Sequence, residues 1–119
     1  MKKQNRIKKN HEIASIVNLR KKVASKNYVI YYQKNNLNKT RIAFSVSKKF
    51  GHAVERNKAK RISRNLFRKY INMYNNLDLV IIIRQNMKNV TFEVLENEVN
   101  FLFNLINKNL KKEDKGEKI

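Results

Sequence analysis

Hydrophobic and polar positions follow a strand-like spacing in several segments of the chain. Asn27–Gln33 is rich in β-branched and aromatic residues, and Arg41–Ser47 alternates between apolar and polar positions, so each segment is predicted to form a strand. Because the turn-like sequence KNNLNK separates them, we expect the two strands to pair as a hairpin. Asp78–Arg84 contains the unbroken apolar run LVIII, which is typical of a central strand buried on both faces.

Other segments have the spacing of helices. A short helix is expected to begin at Asn10, as its cap, and to end at about Leu19. A second helix covers Ala53–Tyr70, and a third runs from Thr91 to about Leu110. The order of helix, strand, strand, helix, strand and helix predicts an α+β fold in which helices pack on a small sheet.

The second helix has two chemically different faces. Its apolar positions are Ala59, Ile62, Leu66, Tyr70 and Met73, and its opposite face carries Arg56, Asn57, Lys60, Arg61, Arg64 and Arg68. Glu55 is the one acidic residue of the segment, although a solvated face usually mixes both signs of charge. This basic stripe therefore predicts a binding surface rather than a solvated face.

The positive charge of the whole chain is concentrated in the same region. The 119 residues carry a formal net charge of +19; residues 1–71 contain 21 Lys and Arg and two acids, whereas residues 72–119 contain seven of each sign. Such a field acts over about 10 Å in physiological salt, so the partner is expected to be a polyanion, either a nucleic acid or an anionic membrane. Arginine dominates the stripe, and its planar fork suits phosphates and bases, which favours nucleic acid.

The neighbouring segments favour a single strand over duplex DNA. A helix-turn-helix protein would need a second helix just before the basic one, but a predicted strand and KKFGH stand there. Tyr31 on one strand and the small residues Ala43, Ser45 and Ser47 on the next would form a shallow floor for unstacked bases. An ordinary half-buried strand aromatic is an equally good interpretation of Tyr31.

Length and composition limit the class of protein. The chain fits one domain, 1–119, with residues 1–9 as a basic arm and residues 111–119 as a charged, flexible tail. It contains no Cys, which a reducing cytoplasm would permit. The longest apolar run, Leu79–Ile83, is far too short to cross a bilayer, and no apolar stretch follows the basic start as in a signal peptide.

Few side chains are candidates for catalysis. His11 and His52 fit no metal-ligand spacing, and His52 is better explained as a cap of the basic helix. Glu93, Glu96 and Glu98 form an acidic cluster, but they diverge around a helix, and the first two lie in its first turn, where the helix dipole favours them. We therefore expect no catalytic residue and no metal site.

Three segments together resemble the protein component of bacterial ribonuclease P. They are RIKKNHEI near the start, RIAFSVSKKFGHAVERNKAKRISRNLFR at Arg41–Arg68, and DLVIIIRQ. The pattern R-N-x-x-K-R-x-x-R, preceded by S-V-S-K-K and G-x-A-V, is a specific signal. The resemblance implies a two-layer α+β sandwich with a four-stranded sheet, three helices and a left-handed β-α-β crossover through the basic helix. One of the four strands cannot be placed from the pattern.

The resemblance also implies a division of labour between protein and RNA. A catalytic RNA removes the 5′ leader of precursor tRNA with Mg²⁺, and the protein subunit assists it in the cytoplasm; the partners are ribonuclease P RNA and precursor tRNA, with no membrane and no protein partner. The implied RNA-binding residues are Arg56, Asn57, Lys60, Arg61 and Arg64 of the motif, Arg68 on the same stripe, and Ser47, Lys48 and Lys49 in the preceding turn. The implied leader cleft contains Ile13, Val17, Tyr31 and Ser45.

The sequence departs from the family pattern at a few positions. Ile13 and Val17 stand where Phe is usual, and an aliphatic side chain cannot stack on a base as an aromatic ring does. Ala43 and Arg20 stand where Gly is usual, from which we expect a small local change before the first strand and no change of fold.

Two alternatives remain at the level of sequence. A ribosomal or other structural RNA-binding protein is the first, because one fold serves many functions, although such a protein more often uses long basic tails. A metal-dependent nuclease is the second, and it requires Glu93 or Glu96 as a metal ligand.

Overall fold

The fold was determined as a computed structural model, which describes residues 5–84, 90–114 and 116. The described part of the chain contains three α-helices and four strands, and a 3₁₀ turn at Lys48–Phe50 precedes the second helix. In chain order the elements are α1 (Asn10–Asn18), β1 (Lys22–Ala24), β2 (Tyr28–Lys34), β3 (Arg41–Val46), α2 (Ala53–Met73), β4 (Leu77–Ile83) and α3 (Phe92–Asp114). The predicted α+β class is confirmed.

The four strands form one mixed sheet in the order β1-β2-β4-β3. β4 pairs antiparallel with β2 and parallel with β3, and α2 connects the two parallel strands. The predicted hairpin of β2 and β3 is wrong, because β4 lies between them. A strand that is apolar on both faces needs a neighbour on each side and cover on each face, so β4 takes the centre and β3 the edge.

The strand that the pattern did not place is β1, which pairs antiparallel with β2 at the other edge. It has three residues, of which only Val23 is buried. A run of that length is too short for an alternating pattern to stand out from its surroundings.

The helices cover the two faces of the sheet unequally. α2 and α3 pack on one face and enclose the main core with Tyr28, Ile30 and Tyr32 of β2. Phe67 of α2 is fully buried there, and its ring meets those of Tyr28 and Phe103 edge-on, at centroid distances of 5.3 and 5.8 Å. α1 covers part of the opposite face, where Ile16 packs with Ile7 and Val80. Within the described residues, that face therefore has no complete second layer of helices.

Several element ends differ from the predicted ones. Lys9, rather than Asn10, is the N-cap of α1, and its carbonyl accepts the backbone N–H groups of Glu12 and Ile13. Part of the predicted arm is packed, because Arg6 forms a β-bridge with Ile42 and Ile7 is buried. Residues 1–4 lie outside the described residues.

The predicted tail is also partly ordered. α3 continues to Asp114, where Glu113 pairs with Lys21 and Asp114 with Lys34. These contacts join the end of α3 to Lys21 before β1 and to Lys34 at the end of β2. Residues 115 and 117–119 of the tail lie outside the described part of the chain.

Candidate nucleic-acid interface

The basic helix begins at a tightly packed turn. His52 is the N-cap of α2, as predicted, and its backbone N–H donates to Oε1 of Glu55 over 3.2 Å. A Cβ atom added to Gly51 would lie 2.8 Å from Cδ of Glu55, so a side chain at position 51 would displace that carboxylate. The turn that carries Lys48 and Lys49 is thereby held directly against the start of α2, while Phe50 anchors it in the core.

The buried face of α2 is rotated relative to the predicted one. Met73, predicted to be in the core, is 63% exposed. Ser63 and Phe67, which were not predicted there, are fully buried, and Oγ of Ser63 hydrogen-bonds with the hydroxyl of Tyr28 at 2.8 Å. The aromatic side chains on the sheet determine this rotation, because Phe67 packs between Tyr28 and Phe44; the helix sequence alone does not contain that information.

The rotation divides the basic stripe into an exposed part and an inner part. Asn57, Arg61 and Arg68 are exposed, as are Ser47, Lys48 and Lys49 in the preceding turn. Arg56, Lys60 and Arg64 are half-buried along the border of the core. The Nε atom of Arg56 is buried and has no hydrogen-bond partner among the described residues, so this guanidinium has an unused donor beneath the stripe.

A cleft joins the stripe to the sheet. Lys60 and Arg64 of α2 face Arg6, Ile7 and Ile13 across β3, and together they enclose about 150 Å³. Ile42, Ala43 and Phe44 of β3 line its floor. Cations on one side and apolar side chains on the other are the combination that suits a phosphate backbone with unstacked bases.

The predicted leader-cleft residues lie on one face of the sheet. Tyr31 is half-buried on the α1 side, away from the main core, where it packs with Ile13 and Val17 against the cluster of Ile7, Ile16 and Val80. The Nζ atom of Lys22 lies 5.8 Å from the centroid of the Tyr31 ring. These contacts leave one side of the ring partly accessible beside a cation.

Ser45 lies outside that cluster, in the next row of the sheet. It is exposed and stands opposite Ile82, which in turn stands opposite Val29. Both apolar neighbours are half-buried. This row lies beside the row of Tyr31, Val80 and Ala43 on the same face of the sheet.

A largely buried ionic cluster that the sequence pattern did not predict holds α1 over the sheet. Nε and Nη2 of Arg41 donate to Asp78 over 2.9 and 3.0 Å, and Nη2 also reaches Glu12 of α1 at 2.9 Å. Asn35 and Gln33 donate to the same aspartate over 2.7 and 3.2 Å. A lone acid at the start of a fully apolar strand was the available signal for this cluster.

The cluster shifts the pKa of both charged partners. Burial alone would raise the pKa of Asp78, but the hydrogen bonds from Arg41, Asn35 and Gln33 outweigh burial and place it below its usual value. The hydrogen bonds to Asp78 and Glu12 raise the pKa of Arg41 further above its already high value. Both groups are therefore charged at neutral pH.

The acidic cluster of α3 includes a structural residue. Glu98 accepts hydrogen bonds from Oγ of Ser25 at 2.5 Å and from Nδ2 of Asn27 at 2.8 Å, which ties α3 to the turn between β1 and β2. Within the described ranges, no three His, Asp or Glu side chains come together as a metal site would require. The absence of a metal site in the whole chain stays a prediction.

The described part of the chain also has no helix that is long and apolar enough to cross a membrane.

Comparison with known proteins places this geometry in a family. A family model described as Ribonuclease P matches residues 1–107. The ribonuclease P protein component of Macrococcus caseolyticus is 42% identical over 101 residues, which are 84% of this chain and 84% of that protein. Both matches favour the ribonuclease P interpretation over a ribosomal protein.

Solved structures agree with the sequence matches. A Staphylococcus aureus RNase P protein mutant with defective mRNA degradation activity has a TM-score of 0.80 at 33% identity, covering 88% of this chain and 90% of that one. The RNase P protein from Thermotoga maritima has a TM-score of 0.72 at 27% identity, covering 82% and 94%. The chain therefore belongs to the family of ribonuclease P protein components, subunits of a ribonucleoprotein endoribonuclease whose catalytic centre is in its RNA.

Proposed function

We propose that this chain docks on ribonuclease P RNA through the basic stripe of α2 and holds the 5′ leader of precursor tRNA in the adjoining cleft, in the cytoplasm. The observation that carries the proposal is the shared position of Lys60 and Arg64, which belong to the stripe and also line the cleft with Ile13 and β3. One surface can therefore contact both RNAs where they meet.

The docking face offsets the repulsion between two polyanions. Arg61, Arg68, Lys48 and Lys49 are exposed and would contact phosphates of the catalytic RNA, with release of bound counterions. Arg56, Asn57 and Ser47 would supply further contacts from the start of α2 and the turn before it. The expected consequence is a lower Mg²⁺ requirement, since hydrolysis and the Mg²⁺ it uses belong to the RNA in this proposal.

The cleft distinguishes precursor from product. Ile13 lines it opposite Lys60 and Arg64, and Val17, Tyr31 and Ser45 would extend the leader-binding surface along the same face of the sheet. Because mature tRNA has no leader, contacts made here raise the affinity of the substrate alone. Release of the product is therefore not slowed by the cleft.

Activation of the catalytic RNA tests the docking face. Multiple-turnover cleavage of a precursor tRNA would be measured at an Mg²⁺ concentration too low for the RNA alone. We expect the protein to restore cleavage and the double variant Lys60→Ala/Arg64→Ala to lose most of that effect. Lys108→Ala/Lys112→Ala removes the same charge at the same spacing from exposed positions of α3 and is the matched control. Equal losses in both variants would show that only total charge matters.

A comparison of tRNA with and without its leader tests the cleft separately from the docking face. Affinity would be measured for precursor and mature tRNA on the reconstituted complex, and Tyr31→Leu keeps the apolar packing but removes the stacking surface. We expect the preference for precursor to fall by at least about fivefold, since stacking of one base is worth about 1–3 kcal/mol and about 1.4 kcal/mol corresponds to a factor of ten. Binding of the catalytic RNA should be unchanged. An unaltered preference would exclude Tyr31 from the leader site.

A further inference from the structure

A second and larger cavity lies at the C-terminal end of α2. It encloses about 580 Å³, within the range of about 300–1,000 Å³ that is usual for small-ligand pockets. Its walls are the N-terminal segment at Asn5, the loop between β2 and β3, and the last turns of α2 with the residues that follow. Arg64 of the sequence motif and Arg68 of the basic stripe are among its lining residues, but the sequence did not predict a cavity there.

Hydrogen bonds fix the walls of the cavity. Nδ2 of Asn5 donates to the carbonyl of Thr40 over 2.8 Å, and Nδ2 of Asn35 donates to the carbonyl of Lys39 over 3.1 Å. On the other side, Tyr74 donates its hydroxyl to Asn107 of α3, and its ring stacks near that of Phe103. The cavity is thus formed before any ligand arrives.

The cavity has the chemistry of an anion site. Lys39, Arg64 and Arg68 line it, and the described lining residues include no Asp or Glu. Arg64 and Arg68 are one helical turn apart on the same side of α2, so both guanidinium groups can approach one phosphate.

Amide side chains add the chemistry of base recognition. Asn38, Asn72 and Asn75 also line the cavity, and none of their side chains hydrogen-bonds to a described residue. An amide offers a donor and an acceptor side by side, which matches the edge of a nucleobase. Ile71 and the half-buried ring of Tyr74 supply apolar surface below them. Cations for a phosphate, amides for the edge of a base and apolar surface for its ring together form a site that fits a nucleotide.

The position of Arg64 decides between a free nucleotide and one within RNA. This residue lines both the large cavity and the small cleft, so an RNA strand along the stripe passes the mouth of the cavity. We propose that the cavity accepts one unpaired nucleotide of the bound ribonuclease P RNA, with its phosphate near Lys39 and Arg68 and its base between Asn72 and Asn75. This inference rests on the proposed function. It adds recognition of one base to the phosphate contacts of the basic stripe.

Binding of ribonuclease P RNA to the full chain tests the inference. Asn72→Ala/Asn75→Ala removes both amides without changing charge, and Asn97→Ala/Asn104→Ala makes the same change on the exposed side of α3. We expect the first variant to bind about tenfold more weakly with an unchanged salt dependence, because base contacts release no counterions. The control should bind as the wild type does. Equal affinity of both variants and the wild type would overturn the inference.

Crosslinking locates the nucleotide directly. The chain contains no Cys, so Asn75→Cys or Asn104→Cys gives a single attachment point for a photoreactive group. We expect position 75 to crosslink to one unpaired nucleotide of the RNA and position 104 to give no comparable product. Crosslinks spread over many nucleotides at both positions would contradict a specific pocket.

Two further measurements separate the possible failures. In the first, free AMP, GMP, CMP and UMP would be titrated into the wild type and into Asn72→Ala/Asn75→Ala. If the variant loses nucleotide binding but keeps its affinity for the RNA, the cavity is a site for free nucleotides and the RNA assignment is overturned.

The second measurement is activation of the catalytic RNA by the wild-type protein, which tests the proposed function independently of the cavity. If the wild type activates the RNA but the cavity variants behave normally, the proposed function stands and the nucleotide pocket fails.

Discussion

Arg20 holds a backbone conformation that usually belongs to glycine. It follows the C-cap of α1 with φ of 61°, and its N–H donates to the carbonyl of Val17 over 3.1 Å. This is the left-handed position at which helices commonly end, where a side chain costs about 1 kcal/mol. Arg20, which stands where the family pattern usually has Gly, is thus a strained residue.

Arg20→Gly should relieve this strain. We expect the free energy of unfolding to rise by about 0.5–1 kcal/mol, because relief of the left-handed strain exceeds the added entropy of the unfolded chain. Urea denaturation of both proteins would measure the change. Arg20→Ala is the control, since it removes the guanidinium but keeps the Cβ atom, and it should not stabilise the protein.

Tyr28 makes the stability of the core sensitive to alkaline pH. Burial raises its pKa from 10.0 to about 12, although the hydrogen bond with Ser63 acts in the opposite direction. Between these two values the unfolded chain loses the phenolic proton while the folded chain keeps it, so stability falls as pH rises. The loss should be on the order of 3 kcal/mol.

Denaturation curves between pH 9 and pH 12 would test the assignment to Tyr28. Tyr28→Phe should make stability less dependent on pH in this window, whatever its effect at neutral pH. Ser63→Ala removes the hydrogen bond but keeps the phenol, and the alkaline loss should persist. An equally steep loss in Tyr28→Phe would assign the effect to another group.

At the scale of elements, one arginine links α1 to two strands of the sheet, beside the apolar contacts of Ile16. Arg41 of β3 joins Asp78 of β4 to Glu12 of α1, and Asp78 is almost fully buried. Because α1 forms one wall of the proposed leader cleft, this ionic cluster positions that wall through Glu12.

Acid should weaken this cluster in a predictable direction. The pKa of Asp78 lies below its usual value, so its contribution is present above about pH 4 and is lost as pH falls through the folded-state pKa. Asp78→Asn should therefore be less stable at neutral pH, by about 2–4 kcal/mol, and should lose less stability on acidification. Urea denaturation at neutral pH and at pH 3–5 would measure both effects. A parallel loss in wild type and variant would contradict the role of Asp78.

At the scale of the whole molecule, four ion pairs and the basic stripe lie on different elements. Glu12 and Asp78 pair with Arg41, Glu113 with Lys21 and Asp114 with Lys34. None of these pairs includes a residue of α2, the helix that carries the basic stripe.

This separation predicts a steep salt dependence of RNA binding. With about six phosphate contacts, the affinity for ribonuclease P RNA should fall about a thousandfold between 50 and 200 mM salt. Arg61→Gln should lower the slope of the logarithmic plot by about one, whereas Lys108→Gln on α3 should leave it unchanged. Filter binding at fixed Mg²⁺ gives both slopes. A slope below about two for the wild type would exclude the stripe as the main contact.

The sequence predicted the elements whose pattern is local. The period of α3, the apolar run of β4 and the one-signed stripe of α2 each follow from neighbouring residues, as does the cap at His52. Those signals come from burial on one or both faces and from helix termini, which are properties of a short segment. The RNA-binding stripe was therefore visible in the sequence, and its role stays a proposal.

Only the tertiary structure decided how these elements meet. The insertion of β4 between β2 and β3, the rotation of α2 towards Phe67 and the burial of Asp78 all depend on residues far apart in the chain. So does the meeting of Lys60 and Arg64 with Ile13, and of Arg68 with Lys39. By itself the sequence determined the charge, the strand and helix segments and the family motif, because these are local; the cleft and the cavity are products of long-range packing, which no local pattern contains.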